Sequence, residues 1–483
     1  MEQVYCGRMK NAAYPSGEQC WSPSERYPEY PYAELSAQDN GVYRLVRAGF
    51  HALGYDAAHY GGHEWNPLGD LIQPGMTVLL KPNWVLHKND DPSHDMDCIV
   101  THPSVIRAVL DYVLLALKGT GRVIVGDAPI QICHFDALHK TVGYDRLWAY
   151  YREKNIALEI MDFRGLVAHE TAAHMNVLRN SSAGIVVDLG RDSLFSDWSD
   201  KKIDRMRVTN YATGLMKEHH STEKHEYMIH PCVLEADVIL NLAKPKSHRK
   251  AGLTACAKNF VGACMRKEDL PHHTVGSKAE NGDEYRDKSA LHGLQSRLLD
   301  KKNDSDYAGD KRFFLYKWLY KGVRAVQKLS GAENRDFFEG SWYGNDTIWR
   351  TIVDLNRILR YADKTGVLCA EPQRSVFNVA DLVVAGEGEG PLKPSPNPIG
   401  VIVMSDRIWA ADRFICRLAG FSETAIRYLG SLPDQQCKDG SFVVADASGT
   451  RTTFDMYPFD PACYLRPTAG WRGHIEFEDR QPE

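Results

Sequence analysis

Between residues 77 and 162, short β-branched runs alternate with longer segments of helical periodicity, and that alternation leaves few folds open. TVLLK (77–81), RVIVGD (122–127) and ALEIMD (157–162) read as strands, separated by helices over 103–118 (PSVIRAVLDYVLLALK) and around 138–154. Strands this apolar, each followed by an amphipathic helix, predict an α/β fold: a mostly parallel sheet with helices on both faces. The pattern resumes with DVILNL (237–242), then helices over 252–265 and 346–361, strands near 376–384 and 400–404, and a helix over 406–418. No internal repeat or low-complexity segment breaks it.

Around that core the chain divides by composition. Residues 1–70, rich in Tyr, Pro, Gly and His with one helix over 41–53, read as an N-terminal elaboration. Residues 71–265 form the α/β core, 266–335 a polar insertion with a connecting helix, and 336–483 a second α/β portion that completes the site. Within the insertion, 266–310 is turn-rich and reads as a surface excursion. The helix over 311–329 places Phe314, Leu315, Trp318, Leu319, Val323 and Val326 at helical spacing, a stripe that reads as core.

Charge and cysteine usage exclude several classes. A net charge of −5 with interspersed signs gives no general attraction to nucleic acid or an anionic membrane. No stretch of 18 apolar residues occurs, and the first residues lack the pattern of a secretory leader. The 11 cysteines show no C-x-x-C pair and no iron–sulfur spacing, so reduced thiols in a cytoplasmic protein are expected and no iron–sulfur cluster. A homo-oligomer is left open.

The most informative stretch is NLAKPKSHRKAGLTACAKNFVGA (241–263). Pro245 biases Lys244 toward extended backbone, so Lys244, Lys246 and His248 are expected to share a face after the strand. Thr254 and Lys258, four apart, are expected on one face of the following helix, with Asn259 beside them and Gly252 and Gly262 allowing close approach. Ammonium groups and an imidazole at the carboxyl edge of a parallel strand suit a carboxylate, a phosphate or a developing enolate. The competing reading is a solvated turn with ordinary salt bridges.

Further segments fall in a recognisable order: Lys81-Pro82-Asn83-Trp84, Thr101-His102-Pro103, Gly126-Asp127, the K-x-K-x-H…T-x-x-x-K-N-x-x-G run, Gly344-Asn345-Asp346, Asp354-Leu355-Asn356-Arg357 and Glu387-Gly388-Glu389-Gly390-Pro391. Over about residues 75–420 this order resembles the domain of unknown function 362 family, which has no general assigned reaction. Many members of that family carry ferredoxin-type cysteine runs. This chain lacks them, so electron transfer is not carried over. The family is also distantly similar to the N-terminal domain of lactate racemase-like proteins, which implies an α/β fold and proton transfer at a carbon acid; the attachment segment of the nickel-pincer cofactor has no match here.

Weaker candidates surround this set. The loop 87–97 offers Asp90 and His94, either as divalent-metal ligands or as part of a solvated, lid-like loop. His219, His220 and His225 in EHHSTEKHE read as an exposed polar segment. The glycines of 386–391 have the wrong spacing for a dinucleotide loop, and Pro391, Pro394, Pro396 and Pro398 prevent an immediate helix, so neither nicotinamide nor flavin is expected. Glu387 is a candidate acid, base or metal ligand. Asp127, ending a strand, suits a partner for Lys81 or Lys244 or a metal ligand, the competing reading being a cap for the next helix. Asp346 reads as a helix cap, and Arg350, sharing a face with Asp354, could hold a substrate anion or an intrahelical ion pair.

The expected function is therefore an enzyme performing acid–base chemistry on a small anionic molecule. Lys244, Lys246 and Lys258 would neutralise charge, His248 would exchange protons with Asp127 nearby, and Asn83, Asn259 and Asn345 would orient the ligand, aided by Lys81, Thr101 and Thr254. Two alternatives stand beside it: a divalent-metal enzyme using Asp127, Asp90, His94 or Glu387, and a non-catalytic protein that binds an anionic metabolite.

Overall fold

A computed structural model of the chain describes residues 2–170, 175–179, 183–329, 337–435 and 441–477. Its organising element is a large mixed sheet. Five strands run parallel and in order: β8 (Ser375–Glu389), β5 (Val238–Ala243), β2 (Thr77–Lys81), β3 (Arg122–Asp127) and β4 (Glu159–Asp162). Beyond β8 the sheet continues through β9 (Lys393–Ser405), β1 (Gln3–Arg8), β10 (Val443–Asp446) and β11 (Arg451–Thr453), with antiparallel pairings at β8–β9, β9–β1 and β10–β11.

Side-chain alternation along the strands builds a core on each face. Val78, Leu80, Val238, Leu240, Ile402 and Met404 enter one core, where they meet helices α1 (Gly41–Ala52) and α2 (Pro103–Leu117). Leu79, Ile124, Ile239, Val401 and Val403 enter the other, against helices α8 (Ile348–Tyr361) and α9 (Ile408–Leu418). Period-2 strands between period-3.6 helices bury both faces at once, each large aliphatic side chain contributing about 1.5–3 kcal/mol. The expected α/β architecture is the one observed.

Prolines 394, 396 and 398 sit in β9 rather than in a loop. They occur at alternate positions in the stretch that pairs only with β8, since β1 pairs with residues 401–404, so their missing N–H groups fall on the free edge.

Several expectations are corrected. The helix around 138–154 is two, α3 (Phe135–Val142) and α4 (Tyr144–Glu153), because Gly143 takes a φ of 90° and ends the first. The segment 266–310 is no surface excursion: Asp269, Leu270, Thr274, Asp283 and Glu284 are buried, and its second half is helix α6 (Ala290–Tyr307). Its polar residues bury because they satisfy one another; Asp283 accepts from Thr274 N (2.5 Å), Asp346 N (2.8 Å) and Thr347 Oγ1 (2.6 Å). His220 and His225 are buried too. His220 Nε2–H donates to Asp269 O (2.7 Å) and the two Nδ1 atoms lie 3.2 Å apart, while burial drives both rings to neutrality, near pKa 3 and 4.

The stripe on helix α7 (Arg312–Leu329) is not core. Its partner is α6, which it meets through the opposite side, where Phe313 and Gln327 are buried; Phe314, Leu315, Trp318, Leu319 and Val326 face outward.

Candidate functional site

The K-x-K-x-H run folds as a β-hairpin rather than as an extended segment leading into a helix. Strand β6 (Lys246–His248) pairs antiparallel with β7 (Gly252–Thr254), Lys246 opposite Thr254, and Lys246 also pairs with Gly386 of β8. The turn is closed by the imidazole of His248, whose Nδ1 accepts the N–H groups of Lys250 and Ala251 (3.1 Å each). That local bond competes successfully with helix formation over 252–265. The helix is confined to α5 (Cys256–Asn259), followed by a 3-10 turn over Phe260–Ala263. Asp412 caps α5 by accepting from Cys256 N (2.6 Å) and Ala257 N (2.9 Å), and Asn356 Nδ2 donates to Ala257 O (3.0 Å). Two residues remote in sequence thus fix the turn that carries Lys258.

Behind the hairpin runs a chain of buried amides. Asn83 Nδ2 donates to Asn259 Oδ1 (2.9 Å), Asn259 Nδ2 to Asn241 Oδ1 (2.8 Å), and Asn241 Nδ2 to Asn378 Oδ1 (2.8 Å). Asn241 is level with Lys81 on β2 and Asn378 on β8, so strand register sets Asn241 beside Asn378, and Asn83, two residues past β2, and Asn259, the last residue of α5, extend the row. Lys246 Nζ donates to Asn83 Oδ1 (2.7 Å) and Ile99 O (2.5 Å), two neutral acceptors.

These elements line a cavity of about 510 Å³ at the carboxyl ends of β2, β3 and β5, where open α/β sheets hold their ligands. Lys246, His248, Lys250, Thr254, Lys258, Asn259, Lys267 and His272 contribute to its wall, and α6 and α7 close one side with Lys302, Phe313, Lys317 and Lys321. Lysines outnumber the two lining carboxylates, Asp127 and Asp306. Burial, reinforced by Lys267 and Lys250, brings the Lys258 amine down to about 7; burial first lowers Lys250 and Lys267 to about 8. Lys250 Nζ donates to Thr209 Oγ1 (2.6 Å) and Lys267 Nζ to Val261 O (2.9 Å). Among the described residues Lys258 has neither a hydrogen-bond acceptor nor a counter-ion, and Thr254 Oγ1 is buried without a partner.

The two histidines present different nitrogens. His248 Nδ1 is occupied as an acceptor, so its proton is on Nε2; His272 Nδ1–H donates to Leu270 O (2.7 Å), leaving Nε2 with the lone pair. Burial and the neighbouring lysines keep both rings neutral, well below the ordinary histidine value.

Other sequence candidates lie outside the cavity, each with a structural partner. Lys244 does not line the cavity with Lys246 and His248: its ammonium pairs with the buried Asp381 (3.2 Å) and donates to the partly buried Tyr14. Lys81 sits behind the wall, paired with Asp127 (2.6 Å), which also accepts from Trp84 N (2.6 Å); burial pulls the Lys81 amine down and Asp127 opposes that shift. Gly262 is obligatory there, because a Cβ would come within 1.8 Å of Asp127 Oδ1. Thr101 joins Asn83 N (2.9 Å) to Leu242 O (2.7 Å).

Asp346 is not the cap of α8, whose N-cap position is Thr347; Asn345 Oδ1 instead holds the start of the helix, accepting from Thr347 N and Ile348 N (3.0 Å each). Arg350 pairs with Asp346 (3.4 Å) and donates to Leu194 O (2.6 Å), whereas Asp354 accepts from Ser193 and Tyr227. Glu387 accepts from Arg466 N (3.0 Å) of the C-terminal segment and from Asn397 Nδ2 (3.2 Å) of β9. The metal candidates do not converge: Asp127 and Glu387 hold these partners, and neither Asp90 nor His94 lines the cavity. Among the described residues no group of three His, Cys, Asp or Glu side chains is placed to hold an ion.

Lys250, Lys267 and His272 were not singled out by sequence reasoning. Lys250 stands two residues past His248 in the same run, and LPHH (270–273) was hidden inside a segment whose polarity mimicked a surface loop.

The family described as Domain of unknown function (DUF362) matches residues 78–184 and 198–417, more than half of the chain and every element of the hairpin, amide row and cavity floor. No curated protein and no solved structure matches the chain, so the likeness to lactate racemase-like proteins has no counterpart there.

Proposed function

The chain belongs to the domain of unknown function 362 family, and from that premise we propose that it is an enzyme performing acid–base chemistry on a small anionic molecule held in the basic cavity. One observation carries this reading: Lys258 lies in a cavity of ligand size with no counter-ion among the described residues, beside two further lysines and two neutral histidines. Lys258 is partly exposed to the cavity and its charge is desolvated by the surrounding protein; an ammonium so placed without a partner is costly, and an incoming carboxylate or phosphate supplies what the fold withholds.

The tautomers suggest a division of roles. Lys250, Lys258 and Lys267 neutralise the fixed charge of the substrate. His248 is better suited to donating from Nε2–H to an oxygen that gains charge than to carrying protons, since its Nδ1 is held by two amides. His272 Nε2 offers a lone pair, and Lys258, with an amine near 7, can take or return a proton at neutral pH. Thr254 Oγ1 and Asn259 supply polar contacts.

The test is binding followed by exchange. Wild-type protein is screened against phosphorylated and carboxylate metabolites by thermal shift, and each ligand that binds is incubated with protein in D2O and read by NMR. Deuterium entering a carbon position with wild type and not with Lys258→Met supports the enzyme. Tight binding with no exchange or turnover in any ligand points instead to a carrier or sensor, and the absence of any anion binding overturns both.

A further inference from the structure

We propose that α7 docks this protein on an anionic lipid bilayer, lying in the plane of the interface with its outer face among the headgroups. At 3.6 residues per turn, Phe314, Leu315, Trp318, Leu319, Val326 and Leu329 fall within one arc of about 140°, interrupted only by Gly322 and Ala325. That arc points away from the protein: Trp318 is 79% and Leu329 88% exposed, while Phe313 and Gln327 on the opposite side are buried. An apolar surface of this extent on a soluble fold marks a docking site.

The charges beside it identify the occupant. Lys317, Lys321, Arg324 and Lys328 line one flank of the apolar arc, Arg312 stands on the other, and the helix contains no Asp or Glu. A cationic flank beside a Trp- and Leu-rich face is the signature of a helix that lies on an anionic membrane. The helix does not span one, since among the described residues no helix is long and apolar enough to cross a bilayer. The net charge of −5 does not oppose this, because the contact is local and screened within about 10 Å. A second copy laid antiparallel across the face would set cationic flank against cationic flank, which disfavours self-pairing.

The inference is independent of the reaction in the cavity. Full-length protein is sedimented with vesicles of phosphatidylcholine alone and of phosphatidylcholine with phosphatidylglycerol, while Trp fluorescence is recorded. The expected result is binding to the phosphatidylglycerol vesicles with a blue shift, weakened by salt and roughly tenfold or more by Trp318→Asp or Leu315→Asp. Both positions are exposed, so circular dichroism should report an unchanged fold. Lys328→Glu should weaken the same binding while leaving the apolar face intact. Failure to bind either vesicle, or equal binding to both, overturns the proposal. So does a dimer in light scattering that the Asp substitutions dissolve, which would make a second copy the occupant.

Discussion

Lys81 and Lys244 are buried as completely as Lys246, and all come from strand ends within a short reach of one another, yet their surroundings differ in kind. Lys81 and Lys244 meet carboxylates that the sheet itself provides, Asp127 from the end of β3 and Asp381 from within β8. Lys246, Lys250 and Lys267 meet carbonyls, an amide and a hydroxyl, and Lys258 meets no acceptor or counter-ion among the described residues. The fold thus closes one set of charges internally and leaves the other open. Burial alone does not separate a structural lysine from a ligand-binding one; the presence of an internal counter-ion does.

The sharpest break of this contrast is a half-deleted pair. Asp127→Ala should destabilise the protein by about 3–5 kcal/mol in urea unfolding, because it strands Lys81 in the core, and Lys81→Met on that background should recover much of the loss. At the cavity the sign reverses. Lys258→Met should leave the empty protein as stable as wild type or more so, while weakening anion binding by at least roughly tenfold in calorimetry.

A pH series follows from the same difference. The Lys258 amine at about 7 and those of Lys250 and Lys267 at about 8 are charged below those values, so affinity for sulfate, a constant dianion, should rise as pH falls from about 9 to about 6. Their folded values lie below the unfolded lysine value near 10.5, so the unfolded chain binds more protons between about pH 7 and 10.5. The stability of the empty protein contributed by these groups should therefore increase with pH across that window, with the opposite slope to the affinity. The smallest effect is expected outside the cavity: Asn345→Ala should cost about 1 kcal/mol through loss of the bonds its Oδ1 accepts at the start of α8 and leave sulfate affinity unchanged.

The sheet was legible because β2, β3 and β5 are short, mostly apolar and β-branched runs whose bounds follow their pattern to within one residue. The hairpin was not, because its decisive bond is a side chain closing its own turn, and periodicity carries no record of that. Lys244 was misplaced for a related reason: its counter-ion, Asp381, lies 137 positions along the chain and becomes a neighbour only through the β5–β8 pairing. The face of α7 reads as core by spacing alone. Its cationic flank, visible in the same residues, is what distinguishes it from an ordinary buried stripe.

The position of β1 has a consequence for biosynthesis. Residues 3–8 are inserted between β9 and β10, pairing with 401–404 and 443–446. At roughly 5–20 residues per second on the ribosome, that strand waits on the order of tens of seconds for both neighbours to exist. During that interval Val4, Tyr5 and Cys6, fully or almost fully buried in the finished sheet, are an uncapped edge in the nascent chain, and chaperone capture of this segment should decide how much of the newly made protein reaches its native state.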